Sequence, residues 1–453
     1  MYLFYDILLH ISLLMLAPYF LFKMAFAGKY RKGVLERFGF IGEEKLKNLY
    51  DKKVVWFHAV SVGETKASML LLKHFKEKYP DAKIIFSTVT ATGNAIAMKQ
   101  GAQWIDSLIY FPFDFHWVVN SVVKRIKPKV FIVVEKEIWP NILKVLKKSN
   151  IPALVINGTI SDRSFKRYKM FGFFFKRIFG NISCFLCQTK MDGDKAIALG
   201  IEPSRVIATG NIKFDIESAQ WSPSERDVVM RGLNITGYDD IIIAGSTHAG
   251  EEEIVLDVFK RLKQEVSNLR VIIAPRHPER FNEVERLIKG MGFSITRRSV
   301  IRSQKQEARS KKQEAQKSLA SYLLPIVSHP KSEVILLDTI GELCNFYSIA
   351  TIAFVGGTLV DIGGHNLLEP AFYKKPVIYG NYLKGYTGMA NMLETAGGGI
   401  RIKNGEEFFE KAKQLLMDDV YSQKVGSAAY SVVLANKGAT DKCLKILEGL
   451  FGE

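Results

Sequence analysis

Residues able to do acid–base or anion chemistry recur just after apolar runs in this chain. In "HAVSVGET", Glu64 falls in the first turn of a helix, behind Gly63. An acidic side chain there suits the helix dipole, a contribution of roughly 0.3 to 1 kcal/mol. The other reading is a cleft carboxylate, kept ionised and lowered in pKa by the helix start, that can accept a proton. "EKEIWPN" brings Glu135 and Glu137 close to Trp139 and Pro140, and "NGTISDRS" offers Ser161 and Arg163, the arginine able to reach an anion.

The second half carries phosphate-type chemistry. "AGSTHAGEEE" sets Ser246 and Thr247 before a helix start, and "APRHPERF" puts Arg276 and His277 at a strand end, where a guanidinium can grip phosphate oxygens in a bidentate way. "DTIGEL" adds Gly341 at another helix start. "FVGGTLVDIGGHNLLEP" adds Gly356, Gly357, Gly363 and Gly364, which let a ligand approach the main chain in front of unpaired helical N–H groups. The plainer alternative is that these glycines only turn the chain, while Asn366 caps a helix and Glu369 closes a capping box. Four such loops on one edge predict a nucleotide mono- or diphosphate pocket, with Glu369 placed to accept from ribose hydroxyls. No GxGxxG or GxxxxGK[ST] is present, which disfavours a dinucleotide cofactor and a P-loop. Without an HExxH motif or an acidic cluster, the expected chemistry uses no metal and no cofactor.

Something must hold these residues on common edges. From residue 53, short β-rich runs ("KVVWFHAV", "AKIIFST", "KVFIVVE", "PALVIN", "ISCFLC", "RVIAT") alternate with stretches of helical spacing. The alternation pauses over residues 215–227 and resumes with "DIIIAG", "LRVIIAP", "EVILLD", "TIAFVGG" and "KPVIYG". Strands alternating with helices predict parallel sheet, so the chain reads as α/β, two Rossmann-like, doubly wound halves facing a cleft. Their expected bounds are 31–215 and 225–453, after a membrane anchor over 1–30. Ligands in such sheets sit beyond the carboxyl ends of the strands, where the residues above fall. Residues 297–331 break the rhythm as a charged, glycine-free tract, a solvated insertion in the second half.

A chain of 453 residues with 47% hydrophobic and 24% charged residues is globular and large enough for two cores. Its net charge of +17 calls for an acidic partner: nucleic acid, an anionic membrane or a phosphorylated substrate. No aromatic residue interleaves the basic cluster of 297–331 and no nucleic-acid module appears, so nucleic acid is not expected. Four cysteines make no disulfide framework, and Cys184 and Cys187 read as buried strand residues rather than zinc ligands. The apolar run from Ile7 to Phe22, broken only by His10, Ser12 and Pro18, precedes Lys23, Lys29, Arg31 and Lys32. Spanning a bilayer or lying in its surface, it predicts a body held at an anionic cytoplasmic membrane face; the alternative is a helix buried in the fold.

Taken in order, "HAVSVGE", "EKEIWPN", "SDRSF", "GNIKFD", "AGSTHAGEE", "PRHPERF", "DTIGEL" and "FVGGTLVDIGGHNLLEPA" resemble the 3-deoxy-D-manno-octulosonic acid (Kdo) transferases of lipopolysaccharide synthesis. The resemblance implies a GT-B glycosyltransferase that moves Kdo from CMP-Kdo to the lipid A precursor at the cytoplasmic face of the inner membrane. It implies Glu64 as general base and CMP contacts at Pro275, Arg276, Ile340, Gly341, Glu342, Asn366, Leu367, Leu368 and Glu369. It further implies a second cleft glutamate, Glu135 rather than Glu137. "NGTISDRS" departs from the family's usual "NARLSERS", which leaves acceptor contacts at Ser161 and Arg163 open. Two rivals stand beside it: a membrane-associated GT-B enzyme using a UDP-sugar, and a nonenzymatic anion- or nucleotide-binding module.

Overall fold

The computed structural model describes residues 2–26, 33–135, 137–215, 221–302 and 331–452. Residues 303–330, most of the tract expected as an insertion, lie outside them. The chain divides into two compact units, Met1–Asp215 with Asn436–Glu453, and Ile216–Ala435.

The first unit is built on β1 (Val54–Ala59), β2 (Lys83–Thr88), β3 (Ser107–Tyr110), β4 (Val130–Val134), β5 (Ala153–Gly158), β6 (Cys184–Cys187) and β7 (Val206–Ala208). Among the described residues they form one sheet in the order β3-β2-β1-β4-β5-β6-β7, every neighbouring pair parallel. Its central strands β1, β4 and β5 are buried along their whole length and mostly apolar, because both faces are covered. Along β1, Val54 and Trp56 enter one core while Val55, Phe57 and Ala59 enter the other, the two-residue alternation of a strand between two helical layers. Cys184 and Cys187 are buried in β6, as expected.

The second unit repeats the plan with β8 (Asp240–Thr247), β9 (Leu269–Pro275), β10 (Ile295–Arg297), β11 (Val334–Leu336), β12 (Ile352–Val355), β13 (Val377–Tyr379) and β14 (Gly399–Arg401), ordered β10-β11-β9-β8-β12-β13-β14 and all parallel. Ile242 and Ala244 face one core, Ile241 and Ile243 the other. In each sheet the chain reverses its direction of travel once, between β1 and β4 and between β8 and β12. A crevice opens beyond the strand ends at such a point.

Two features differ from the expected division. The last helix, Ala439–Gly452, belongs to the first unit although the sequence reading gave 225–453 to the second half. Its Cys443, Leu447 and Phe451 complete the core around Phe75, and Asp215 accepts from the N–H groups of Gly438 and Thr440. The helix Tyr2–Phe26, long and apolar enough to cross a membrane by length and composition, is docked over its first turns. Asp6 accepts from the His116 N–H and from Asn141 Nδ2, both at 3.0 Å, and the Tyr5 hydroxyl donates to Asp114 at 3.2 Å. Tyr2, Leu9 and Leu13 pack on the first core, while Leu3, Phe4, Leu14 and Met15 stay exposed.

Candidate functional site

At the switch point of the first sheet, β1 delivers the chain into the helix Val62–Lys78. Ser61 caps that helix: its hydroxyl accepts from the Glu64 N–H and donates to Glu64 Oε1 at 3.0 Å, and the Val60 N–H donates to Glu64 Oε2 at 2.7 Å. The capping reading of Glu64 is therefore satisfied, and it fixes the carboxylate rather than consuming it, since each oxygen keeps a second lone pair. The expected lowering of its pKa does not occur. Burial pushes the Glu64 carboxyl above its ordinary value; the Val60 N–H works against this and the charge of Glu135 adds to it. Desolvation outweighs the helix start here because the side chain is almost wholly removed from water. Beside it, a Cβ built on Gly63 would meet nothing nearer than Ser61 Oγ at 3.8 Å, so packing does not demand a glycine there.

Glu135 leaves the end of β4 with φ 70°, and Asn157, near the end of β5, has φ 56°. Left-handed backbone at non-glycine residues is strained and is held by its surroundings. Lys213 Nζ lies 2.5 Å from Glu135 Oε1; Asn157 Nδ2 donates to the same oxygen at 3.4 Å, and Asn157 Oδ1 accepts from the Ile212 N–H at 3.0 Å. Glu135 is buried and Glu137 is partly exposed. Lys213 and Asn157 were not singled out from sequence, although Lys213 sits inside "GNIKFD". His58, from the Glu64 motif, is fully buried and stacked on Phe111 at 3.7 Å, and burial pushes its pKa down to about 3, so it stays neutral. Ser161 caps the helix Asp162–Met170 by accepting from the Ser164 N–H, and Arg163 is exposed in that helix's first turn.

In the second unit the residues after β8, β9 and β12 gather on one edge. Ser246 has φ 57°, and the Arg276 N–H donates to the Thr247 carbonyl. The Thr247 hydroxyl donates to Glu252, which is fully buried and held by Arg280 at 2.7 and 3.2 Å, so Thr247 is already engaged. Pro275 ends β9; Arg276 and His277 are exposed just beyond it, and the Arg276 guanidinium makes no hydrogen bond or ion pair among the described residues. Gly341, with φ 90° and nothing within 4 Å of a built Cβ, follows the exposed Ile340, whereas Glu342 is held by Arg298 at 3.0 and 3.3 Å and by the Thr339 hydroxyl.

The glycine-rich stretch corrects the sequence reading. The amides of Gly357, Thr358 and Leu359 do point into a nest, but the Glu251 carboxylate fills it, accepting at 2.6, 3.0 and 3.0 Å and taking the His248 N–H at 3.0 Å as well. Four donors allow that carboxylate to be fully buried, though burial still raises its pKa. The N–H groups of Gly363 and Gly364, with φ 108° and 79°, donate to the Gly357 carbonyl. Nor does the expected capping box form. Asn366 Oδ1 accepts from the Leu368 N–H and its amide donates to Glu369, while Leu367 and Leu368 are buried. What this edge offers an anion is therefore Arg276 and the histidines 248, 277 and 365, two of which were not identified from sequence.

A family model described as 3-Deoxy-D-manno-octulosonic-acid transferase (kdotransferase) matches residues 32–216. The 3-deoxy-D-manno-octulosonic acid transferase of Haemophilus influenzae is 33% identical over 93% of this chain and 92% of its own. A bifunctional glycosyltransferase/methyltransferase of Fusobacterium nucleatum is 36% identical over 85% of this chain, which spans only 56% of that relative's length. Among solved structures, a glycosyltransferase from Rickettsia africae covers 88% of this chain and 99% of its own at 13% identity with a TM-score of 0.53, a likeness of fold alone.

Proposed function

The chain belongs to the family of Kdo transferases, in the two-unit GT-B architecture, and from that membership we propose that it transfers Kdo from CMP-Kdo to a lipid A precursor by an inverting, metal-independent reaction with Glu64 as general base. The observation that carries the mechanism is the buried carboxylate at the switch point of the first sheet. It is oriented by Val60 and Ser61 and carries a raised proton affinity from burial and from Glu135. A base is most effective with a pKa near working pH, so the upward shift suits Glu64 to take a hydroxyl proton late in a dissociative transition state.

In the proposed step the bond from the anomeric carbon to the CMP phosphate oxygen breaks and a bond from the acceptor oxygen forms on the opposite face. The hydroxyl proton passes to Glu64 and CMP departs with the bonding pair. Arg276 meets the charge that develops on the phosphate, which is electrostatic stabilisation by a preplaced cation. Glu135, paired with Lys213, is the second carboxylate whose charge adds to the proton affinity of Glu64. The helix Tyr2–Phe26 supports attachment at the cytoplasmic face of the inner membrane, and the net charge of +17 suits a phosphorylated lipid acceptor. Ser161 and Arg163 are the acceptor contacts proposed in the first unit.

Mass spectrometry of lipid A precursor after incubation with CMP-Kdo and purified protein tests donor, acceptor and the number of sugars together. The expected product is the precursor heavier by whole Kdo units; an unchanged precursor mass, with transfer seen in a parallel incubation with UDP-sugars, would overturn the assignment.

A further inference from the structure

Three imidazoles meet on the carboxyl edge of the second sheet. His248 follows β8, His277 follows β9 and His365 lies in the loop after β12. Nε2 of His248 and Nε2 of His365 are 2.9 Å apart, the rings meeting head to head and nearly coplanar, with centroids 5.2 Å apart and planes 5° from parallel, and the His277 ring meets His248 edge-on at 5.3 Å. A contact of that length between ring nitrogens is a hydrogen bond, so one ring donates from Nε2 and the other presents its lone pair, an arrangement that two neutral rings of opposite tautomer satisfy. One added proton converts the pair into imidazolium donating to imidazole, a charge-assisted bond of the stronger kind.

The free protein withholds that proton. Burial, together with the positive groups His277, Arg280 and Arg276, holds the His248 pKa down to about 4. The nearby carboxylates are spent elsewhere: Glu279 is solvent-exposed and faces His277 Nδ1 at 3.5 Å rather than the His248–His365 pair. Glu251 is committed to the amides of Gly357, Thr358 and Leu359 besides that of His248, and Glu252 is neutralised by Arg280. Gly357 keeps the ring edges clear, because a Cβ there would lie 3.3 Å from His365 and 3.4 Å from His248.

We propose that the His248–His365 pair, with Arg276, binds the anionic part of the nucleotide donor and takes up one proton as it does so. The ligand's negative charge cancels the repulsion that keeps the pair neutral; the proton comes from solvent and returns to it when the nucleotide leaves. This rests on the reading of that edge as the nucleotide site. Where the free pair is neutral and the bound pair protonated, affinity should rise about tenfold for each unit of acidification.

The probe is CMP, titrated calorimetrically at pH 7.5 into the full-length protein in two buffers of different ionisation enthalpy, which counts protons exchanged on binding. We expect uptake approaching ~1 proton in the wild type and near none in His365→Asn or His365→Gln, whose affinity falls severalfold and loses its pH dependence. Comparison with these variants removes the contribution of the phosphate's own titration. Equal uptake in wild type and variants, or wild-type binding with no exchange, would overturn the histidine proposal and leave the nucleotide site standing. Failure of CMP to bind the wild type at all would sink both.

Discussion

The two units share a sheet plan and a switch point, and they fill that point with opposite electrostatics. In the first, Glu135 is paired with Lys213 while Glu64 is held by Val60 and Ser61, and burial together with the charge of Glu135 raises proton affinity at Glu64. In the second, the buried carboxylates are consumed internally, Glu251 by amides and Glu252 by Arg280, and the exposed Arg276 guanidinium is left for an anion. One topology thus prepares a proton acceptor and an anion receptor, and the choice lies in which side chains follow the strands.

The largest expected effect tests the first unit. Replacing Glu64 with glutamine keeps the size of the cap and removes the base, so transfer should fall about 10²- to 10⁴-fold while CMP affinity is unchanged. Undiminished turnover in a radiolabelled transfer assay would take Glu64 out of the mechanism and erase the contrast. Next comes Glu251→Ala, which strands four buried donors and should cost on the order of 3 kcal/mol in denaturant unfolding, with part of the loss recovered in added inorganic phosphate. A variant as stable as wild type would mean that the nest is not held by this carboxylate. Arg276→Ala removes a charged donor without touching the core. CMP binding should weaken by roughly 1.5 to 3 kcal/mol with thermal stability unchanged, and unchanged affinity would shift the anion contact elsewhere.

The last test concerns pH. Burial raises the Asp114 pKa to about 7 despite the N–H groups of Asn141 and Ile142 and the Tyr5 hydroxyl. An aspartate unfolds to a pKa of about 3.9, so between about pH 4 and 7 the folded chain holds more protons than the unfolded one, and stability drops as pH rises through that window. Asp114→Asn should flatten the slope; thermal melts of both proteins across the window, if parallel, would refute this.

The alternation of apolar runs with helical spacing made both sheets legible, since strands covered on two faces are written as unbroken apolar stretches. β3, β10 and β14 escaped; β10 and β14 are half-buried and hold a single apolar residue each, Ile295 and Ile400, so no apolar run marks them. Glu64 and Arg276 could be located because each stands just past a strand. Glu251 could not: it sits in an acidic helix start, and its partners lie more than a hundred residues away in a loop that folding brings back. The direction of the Glu64 shift was misread for a related reason, as the helix start is visible in sequence while depth of burial is a property of the assembled core. The last helix shows the same gap, its apolar stripe legible but its host sheet not.

The docking of the first helix has a practical corollary. Asp6 and Tyr5 are wired to Asp114, Asn141 and the start of the helix His116–Ile126, so this segment is a keystone and not a detachable leash. Trimming it to gain solubility would orphan polar groups several strands away from the cut, and a shortened protein would lose cohesion along with its greasy surface.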